Sequence, residues 1–98
     1  MASEGQVPSA FAVAGKVAVV TGAGSRADGI GNGRAASILL ARHGAKVALI
    51  DQNADWVEET RRMIAEEGGE AQRYICDVTD EAACKDTVAA ISGDLGVP

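Results

Sequence analysis

Apolar residues in this chain fall into short continuous blocks, separated by longer stretches whose apolar positions recur with helical spacing. Lys16–Val20 is an apolar run of the kind buried on both faces of a parallel sheet. Gly33–His43 has the composition of a helix, with Ala35, Ala36, Ile38, Leu39 and Leu40, and Gly44 follows as a C′ residue. Lys46–Ile50 reads as a second buried strand ending on Asp51. Asp55-Trp56-Val57-Glu58 resembles a capping box that opens a helix running to Glu67 and stopped by Gly68-Gly69. Gln72–Cys76 is a third strand, ending on Asp77. Thr79 then reads as the N-cap of a last helix, with Asp80 and Glu81 favourably placed in its first turn. In that helix Cys84, Val88, Ile91 and Leu95 form one apolar stripe, which makes Cys84 a core residue. The order β-α-β-α-β-α predicts parallel strands joined by right-handed crossovers, the first half of a doubly wound α/β sheet. Residues 1–15 are small, polar and aperiodic, and they read as a flexible arm whose Phe11 and Val13 pack on the domain of 16–98.

Composition narrows the class of partner. The 98 residues are 47% apolar and 23% charged, the balance of a soluble globular domain with a moderate core. A net charge of −5 and a pI near 4.7 argue against nucleic acid, because no basic stripe exists to neutralise phosphates. No apolar run approaches the ~20 residues that span a bilayer, and Met1–Gly15 lacks the basic start of a secretory signal. Cys76 and Cys84 form no CxxC pair and suit a reducing compartment, so the expected location is the cytosol.

The strongest chemical signal lies between the first strand and the first helix. Gly22, Gly24, Gly29, Gly31 and Gly33 fall within twelve residues there. A glycine-rich turn from a buried strand into a helix brings backbone N–H groups up to a pyrophosphate. Such a fingerprint needs one glycine for the tight turn, one for backbone approach to the ligand, and one for close packing of helix on strand. Two registers satisfy this: Gly22, Gly29 and Gly31, or Gly22, Gly31 and Gly33. Helix length favours the second, with Ala35 and Ala36 supplying the small surface for close packing.

Two acids follow at matching places. Asp51 ends the second strand eighteen residues after Gly33, near the ~20 at which a carboxylate meets an adenosine ribose. It can accept hydrogen bonds from both ribose hydroxyls and would repel a 2′-phosphate, which selects NAD over NADP. Arg26, in the glycine loop, is the one residue that points toward NADP. Asp77, at the end of the third strand, can accept from an adenine amino group, with Val78 against the ring. The simpler alternatives are a loop residue capping the next helix for Asp51, and a turn residue before Thr79 for Asp77.

Gly15-Lys16-Val17-Ala18-Val19-Val20-Thr21-Gly22-Ala23-Gly24, Ala45–Asp51 and Cys76-Asp77-Val78-Thr79-Asp80 together resemble the short-chain dehydrogenase/reductase family, from about Gly15 to Pro98. The resemblance implies a Rossmann fold, a nicotinamide cofactor, and hydride transfer to or from a carbonyl or alcohol carbon of a small molecule. It places Gly22, Ser25, Gly31 and either Ile30 or Asn32 around the pyrophosphate, Asp51 at the ribose, and Asp77 and Val78 at the adenine. A homo-oligomer is the expected assembly of a full-length member.

Two departures stand out. The glycine loop is longer than the family's pattern around Arg26-Ala27-Asp28. The family's Asn-Asn-Ala-Gly segment and its Ser and Tyr-x-x-x-Lys catalytic set are absent from the 98 residues. Tyr74 is the only tyrosine, and Val78 stands where the lysine would be, so Tyr74 reads as a strand residue packing on a helix. His43 reads as a helix-end residue. No residue of this chain is therefore expected to give a proton to a substrate oxygen, and the 98 residues alone are expected to be inactive. A sheet cut at Pro98 would also leave Val17–Val20 as an apolar edge, so residues 1–98 by themselves are expected to be molten or self-associating. The competing functional readings are a non-catalytic NAD-binding module and a nucleotide-binding domain of methyltransferase or epimerase type. The Thr-Gly opening and Asp-Val-Thr segment weigh against a methyltransferase.

Overall fold

The computed structural model describes residues 14–24 and 32–97. Three strands, β1 (Val17–Thr21), β2 (Lys46–Asp51) and β3 (Glu70–Ile75), alternate with three helices, α1 (Asn32–Arg42), α2 (Ala54–Glu66) and α3 (Glu81–Asp94). The strands form one parallel sheet of order β1-β2-β3. Its register runs from Val17 beside Lys46 to Thr21 beside Ile50, and from Lys46 beside Glu70 to Asp51 beside Ile75. All three C-terminal ends therefore open on the same side of the sheet, where the crevice of a doubly wound fold lies.

Alternation along β2 divides the core in two. Val47 and Leu49 face a cluster with Ala41 of α1 and Val57 and Ile64 of α2. Ala48 and Ile50 face a second cluster with Cys76 and Ile91 of α3. Two crossovers of one hand that step the same way along a sheet must put α1 and α2 on the same face. With α3 the chain passes to the other face, the doubly wound arrangement the sequence predicts. Truncating a fully buried residue such as Leu49 to Ala would cost about 2–5 kcal/mol.

Several local expectations shift. β2 is buried on both faces as expected, but β1 is not: Ala18 and Val20 pack on the first cluster and Val17 on the second, while Val19 is 40% exposed. The cap of α2 is Asn53, whose side chain accepts from the Trp56 N–H, rather than Asp55. Asp80, not Thr79, caps α3 by accepting from the Ala83 N–H. In α3, Ile91 is buried with Ala83, Cys84 and Leu95 packed beside it, whereas Val88 is 49% exposed. Thr87 is more covered than Val88, so the packed face runs through Ala83, Cys84, Thr87 and Ile91 with Val88 outside it.

Ala35 and Ala36 do not provide the close-packing surface of α1; both are exposed. The buried residues of that helix are Arg34, Ser37 and Ala41. Tyr74 does pack toward a helix: its hydroxyl donates to Asp94 of α3 at 3.0 Å. Burial, and then the Asp94 carboxylate, push its phenol up to about 12. At the other end of the strands, Ala14-Gly15 make a turn from which the Gly15 N–H donates to the Gly44 carbonyl. Phe11 and Val13 lie outside the described residues. Among the described residues no helix is long and apolar enough to cross a membrane.

Candidate functional site

Gly22, Asp51, Gln52, Cys76, Asp77, Val78 and Thr79 line a cleft of about 190 Å³ at the C-terminal ends of the strands. Parallel register produces this grouping: Ala23 donates to the Ile50 carbonyl and Cys76 to the Asp51 carbonyl, which carries the ladder just past the strand ends. Gly22, Asp51, Asp77 and Val78, all singled out from sequence, are thus brought together. Asn32 and Gly33 open α1. Ser25, Arg26, Ile30 and Gly31 lie outside the described residues.

Two glycines of the loop are required by what surrounds them. Gly22 has φ +63°, a left-handed conformation that an L side chain adopts only at a cost, and no atom lies within 4 Å of where its Cβ would stand. A side chain there would project into open space at the cleft. Gly33 is the reverse case: a Cβ would lie 1.9 Å from the Gly22 carbonyl oxygen and 2.7 Å from its carbon. Gly33 is therefore the residue that lets α1 close onto the end of β1.

The two carboxylates differ. Asp51 accepts from the Gly24 N–H through Oδ2 at 2.9 Å and from the Asn53 N–H through Oδ1 at 3.0 Å. Asp77 accepts from the Thr79 hydroxyl at 2.7 Å and the Thr79 N–H at 3.0 Å, both through Oδ1. These bonds, the hydroxyl's foremost, hold the exposed Asp77 carboxyl below its ordinary value. Beneath the cleft the Cys84 thiol donates to the Val78 carbonyl at 3.4 Å, and both cysteines are free thiols. Burial, then the Cys76 thiol and the charges of Asp80 and Asp77, push the Cys84 thiol up. Among the described residues no group of three or more His, Cys, Asp and Glu side chains could hold a metal ion.

Arg34 and Thr60 went unrecognised in the sequence. The Arg34 side chain is 2% exposed; its Nε donates to Thr60 Oγ1 at 2.8 Å and its Nη2 to the Trp56 carbonyl at 3.0 Å. Thr60, fully buried, passes its own proton to the Ala23 carbonyl at 2.8 Å. The one available signal was spacing, since Arg34 shares a helical face with Ser37 and Ala41.

The acceptors of Asp51 suit a pair of neighbouring hydroxyls. A carboxylate offers about four acceptor positions. Backbone N–H groups fill two at Asp51, one on each oxygen, which leaves a position on each for two neighbouring hydroxyls.

The family model for short chain dehydrogenases matches residues 16–97. The chain belongs to this family of NAD(P)-dependent oxidoreductases. It is 40% identical over 89 residues to gluconate 5-dehydrogenase of Gluconobacter oxydans, a stretch covering 91% of this chain and 33% of that protein. A solved NAD⁺-bound xylitol dehydrogenase superposes with TM-score 0.76 at 41% identity, over 86% of this chain and 30% of that one. A metagenomic short-chain oxidoreductase in complex with NADP gives TM-score 0.75 at 32% identity, over 86% of this chain and 36% of that one. Both dinucleotides thus occur among its structural relatives. The chain spans about a third or less of the length of the curated relatives it matches.

Proposed function

We propose that this chain is the N-terminal, adenosine-binding part of an NAD-dependent oxidoreductase acting on a carbonyl or alcohol carbon of a small molecule. The observation that carries the reading is Asp51, anchored by two backbone N–H groups at the mouth of the cleft with acceptor capacity left on both oxygens. In this reading Asp51 receives the two ribose hydroxyls. Gly22, Ser25, Gly31, Gly33 and either Ile30 or Asn32 surround the pyrophosphate, and Asp77 and Val78 border the adenine. The nicotinamide supplies hydride transfer when bound, while this part of the protein binds and orients the other end of the cofactor.

NAD rather than NADP follows from charge. The cleft lining holds Asp51 and Asp77 and no Lys, Arg or His among the described residues. A 2′-phosphate on a ribose held by Asp51 would face that carboxylate at short range. Arg26, the residue that argues for NADP, would have to outweigh Asp51 from the loop.

Proton transfer to the substrate is assigned to residues beyond these 98. Tyr74 is committed to Asp94, and Val78 stands in place of a lysine four residues on. The 98 residues alone are accordingly inactive, and the full-length enzyme is a cytosolic homo-oligomer. Calorimetric titration of the full-length protein with NAD and with NADP tests the proposal. Preference for NAD, lost in Asp51→Ala, is the expected result; equal or tighter binding of NADP would overturn the specificity, and no binding of either would overturn the function.

A further inference from the structure

We infer that Arg34 and Thr60 are positioning residues that set the Asp51 carboxylate for an unphosphorylated ribose, acting through the peptide between Ala23 and Gly24. The inference rests on the role proposed above for Asp51. A guanidinium is rarely buried unless its charge and donors are used. Arg34 is used to fix one hydroxyl. Because Thr60 Oγ1 accepts from Arg34 Nε, its single proton is left to be donated, and the short bond goes to Ala23 O at 2.8 Å; the Trp56 carbonyl is 3.4 Å away.

The Ala23 carbonyl and the Gly24 N–H belong to one peptide unit. Thr60 holds the oxygen, and Asp51 Oδ2 holds the N–H at 2.9 Å. That plane is pinned from both edges, so it cannot rotate without breaking both bonds. Space is equally tight, since a Cβ on Gly24 would stand 2.6 Å from Trp56 Cβ and 3.0 Å from Asp51 Oδ2. One relay therefore runs from α1 through α2 and the glycine loop to the end of β2. Its consequence is that one carboxylate oxygen is held in place before any ligand arrives, so no binding energy is spent in orienting it.

The test uses the full-length protein and two readouts. Thr60→Val keeps the shape and removes the hydroxyl. It is expected to weaken NAD binding about fivefold to tenfold, the effect of one hydrogen bond, and to lower the NAD-over-NADP ratio by a similar factor. Thr60→Ser restores both. Protection of the Gly24 amide from hydrogen exchange in the ligand-free protein falls in Thr60→Val and is retained in Thr60→Ser. Should Thr60→Val fail to fold, Arg34→Lys takes its place, keeping the charge while losing the planar fork, with the same two shifts expected. A merely structural role would lower the melting temperature and leave the ratio and the Gly24 protection unchanged, which would overturn the inference while the proposed function stands. If the unsubstituted protein binds neither dinucleotide, the proposed function falls and takes this inference with it.

Discussion

Asp51 and Asp77 stand at the ends of adjacent parallel strands, border the same cleft, and are held in opposite ways. The Asp51 carboxylate reaches across the sheet to the Gly24 N–H, twenty-seven residues away in sequence, and back to Asn53 at the mouth of the next helix. The Asp77 carboxylate instead accepts from Thr79, two residues on, in a turn that is wholly exposed. The reason is register. Asp51 is the last residue of β2, and Gly22 follows Thr21, the last residue of β1, so the carboxylate is beside the glycine loop. Asp77 lies two residues beyond Ile75, where the ladder has ended and the chain is turning toward α3. A carboxylate after a strand is therefore not one kind of feature. One is placed by tertiary structure and the other by its own turn, and the first kind can fix a ligand's chemistry more firmly.

The largest effect comes from removing what lets α1 close onto the glycine loop. Gly33→Ala would put a methyl group 1.9 Å from the Gly22 carbonyl, a backbone atom that no rotamer change can move away. The cost is expected to be about 3 kcal/mol or more, at or above the upper range for overpacking, with NAD binding abolished. Urea unfolding and NAD titration of the full-length variant measure both; wild-type stability would mean that α1 does not close on β1 as described. Next in size is Asp51→Asn, which keeps the shape and loses the charge. Hydrogen bonds to a charged group are worth about 1.5–3 kcal/mol, so NAD should bind about tenfold to a hundredfold more weakly, with the NADP penalty relieved. Asp77→Ala should cost about threefold to tenfold in NAD affinity, less than Asp51→Asn because water screens this exposed carboxylate, and leave the NAD-over-NADP ratio alone. Equal losses of ratio in the two variants would erase the distinction between the carboxylates.

How far the sequence discloses this difference follows from range. The three strands, three helices and the Asp51 position are legible because they rest on periodicity and on spacing from the glycines. The helix caps are displaced by a residue or two, since Asn53, Asp55, Thr79 and Asp80 are all competent caps and only the backbone path chooses among them. Arg34 is the instructive failure. An arginine in a helix reads as solvated, and Ala35 and Ala36 beside it read as the packing surface. The structure reverses them because Thr60 and the Trp56 carbonyl, supplied by α2, make burial of the guanidinium possible. Long-range donor and acceptor pairs of this sort leave no local pattern. The exposure of Val19 is of the same origin, because burial of β1 depends on what else covers that face.

The smallest effect is expected where β3 and α3 are tied together at the surface. Tyr74 packs on the cluster that holds buried Ile91, and the polar ties are the Tyr74 hydroxyl and the Gln72 amide, both donating to Asp94. Folding raises the Tyr74 phenol from 10.0 to about 12, chiefly by burial and then by the Asp94 carboxylate. Between those values the folded protein keeps a proton that the unfolded chain has lost, so stability must fall as pH rises. The contribution of Tyr74 is fully present below about pH 10 and disappears as pH passes through about 12. Tyr74→Phe removes this titration. Its melting temperature, measured against the unsubstituted protein, should be slightly lower at neutral pH and should converge with it, or overtake it, toward pH 12. NAD affinity at neutral pH should not change, because Tyr74 belongs to the packing of β3 on α3 and not to the cleft. A constant gap between the two proteins across the alkaline range would show that the hydroxyl does not distinguish folded from unfolded chain. It would leave the Gln72–Asp94 bond and the apolar cluster around Ile91 as the ties between this helix and the sheet.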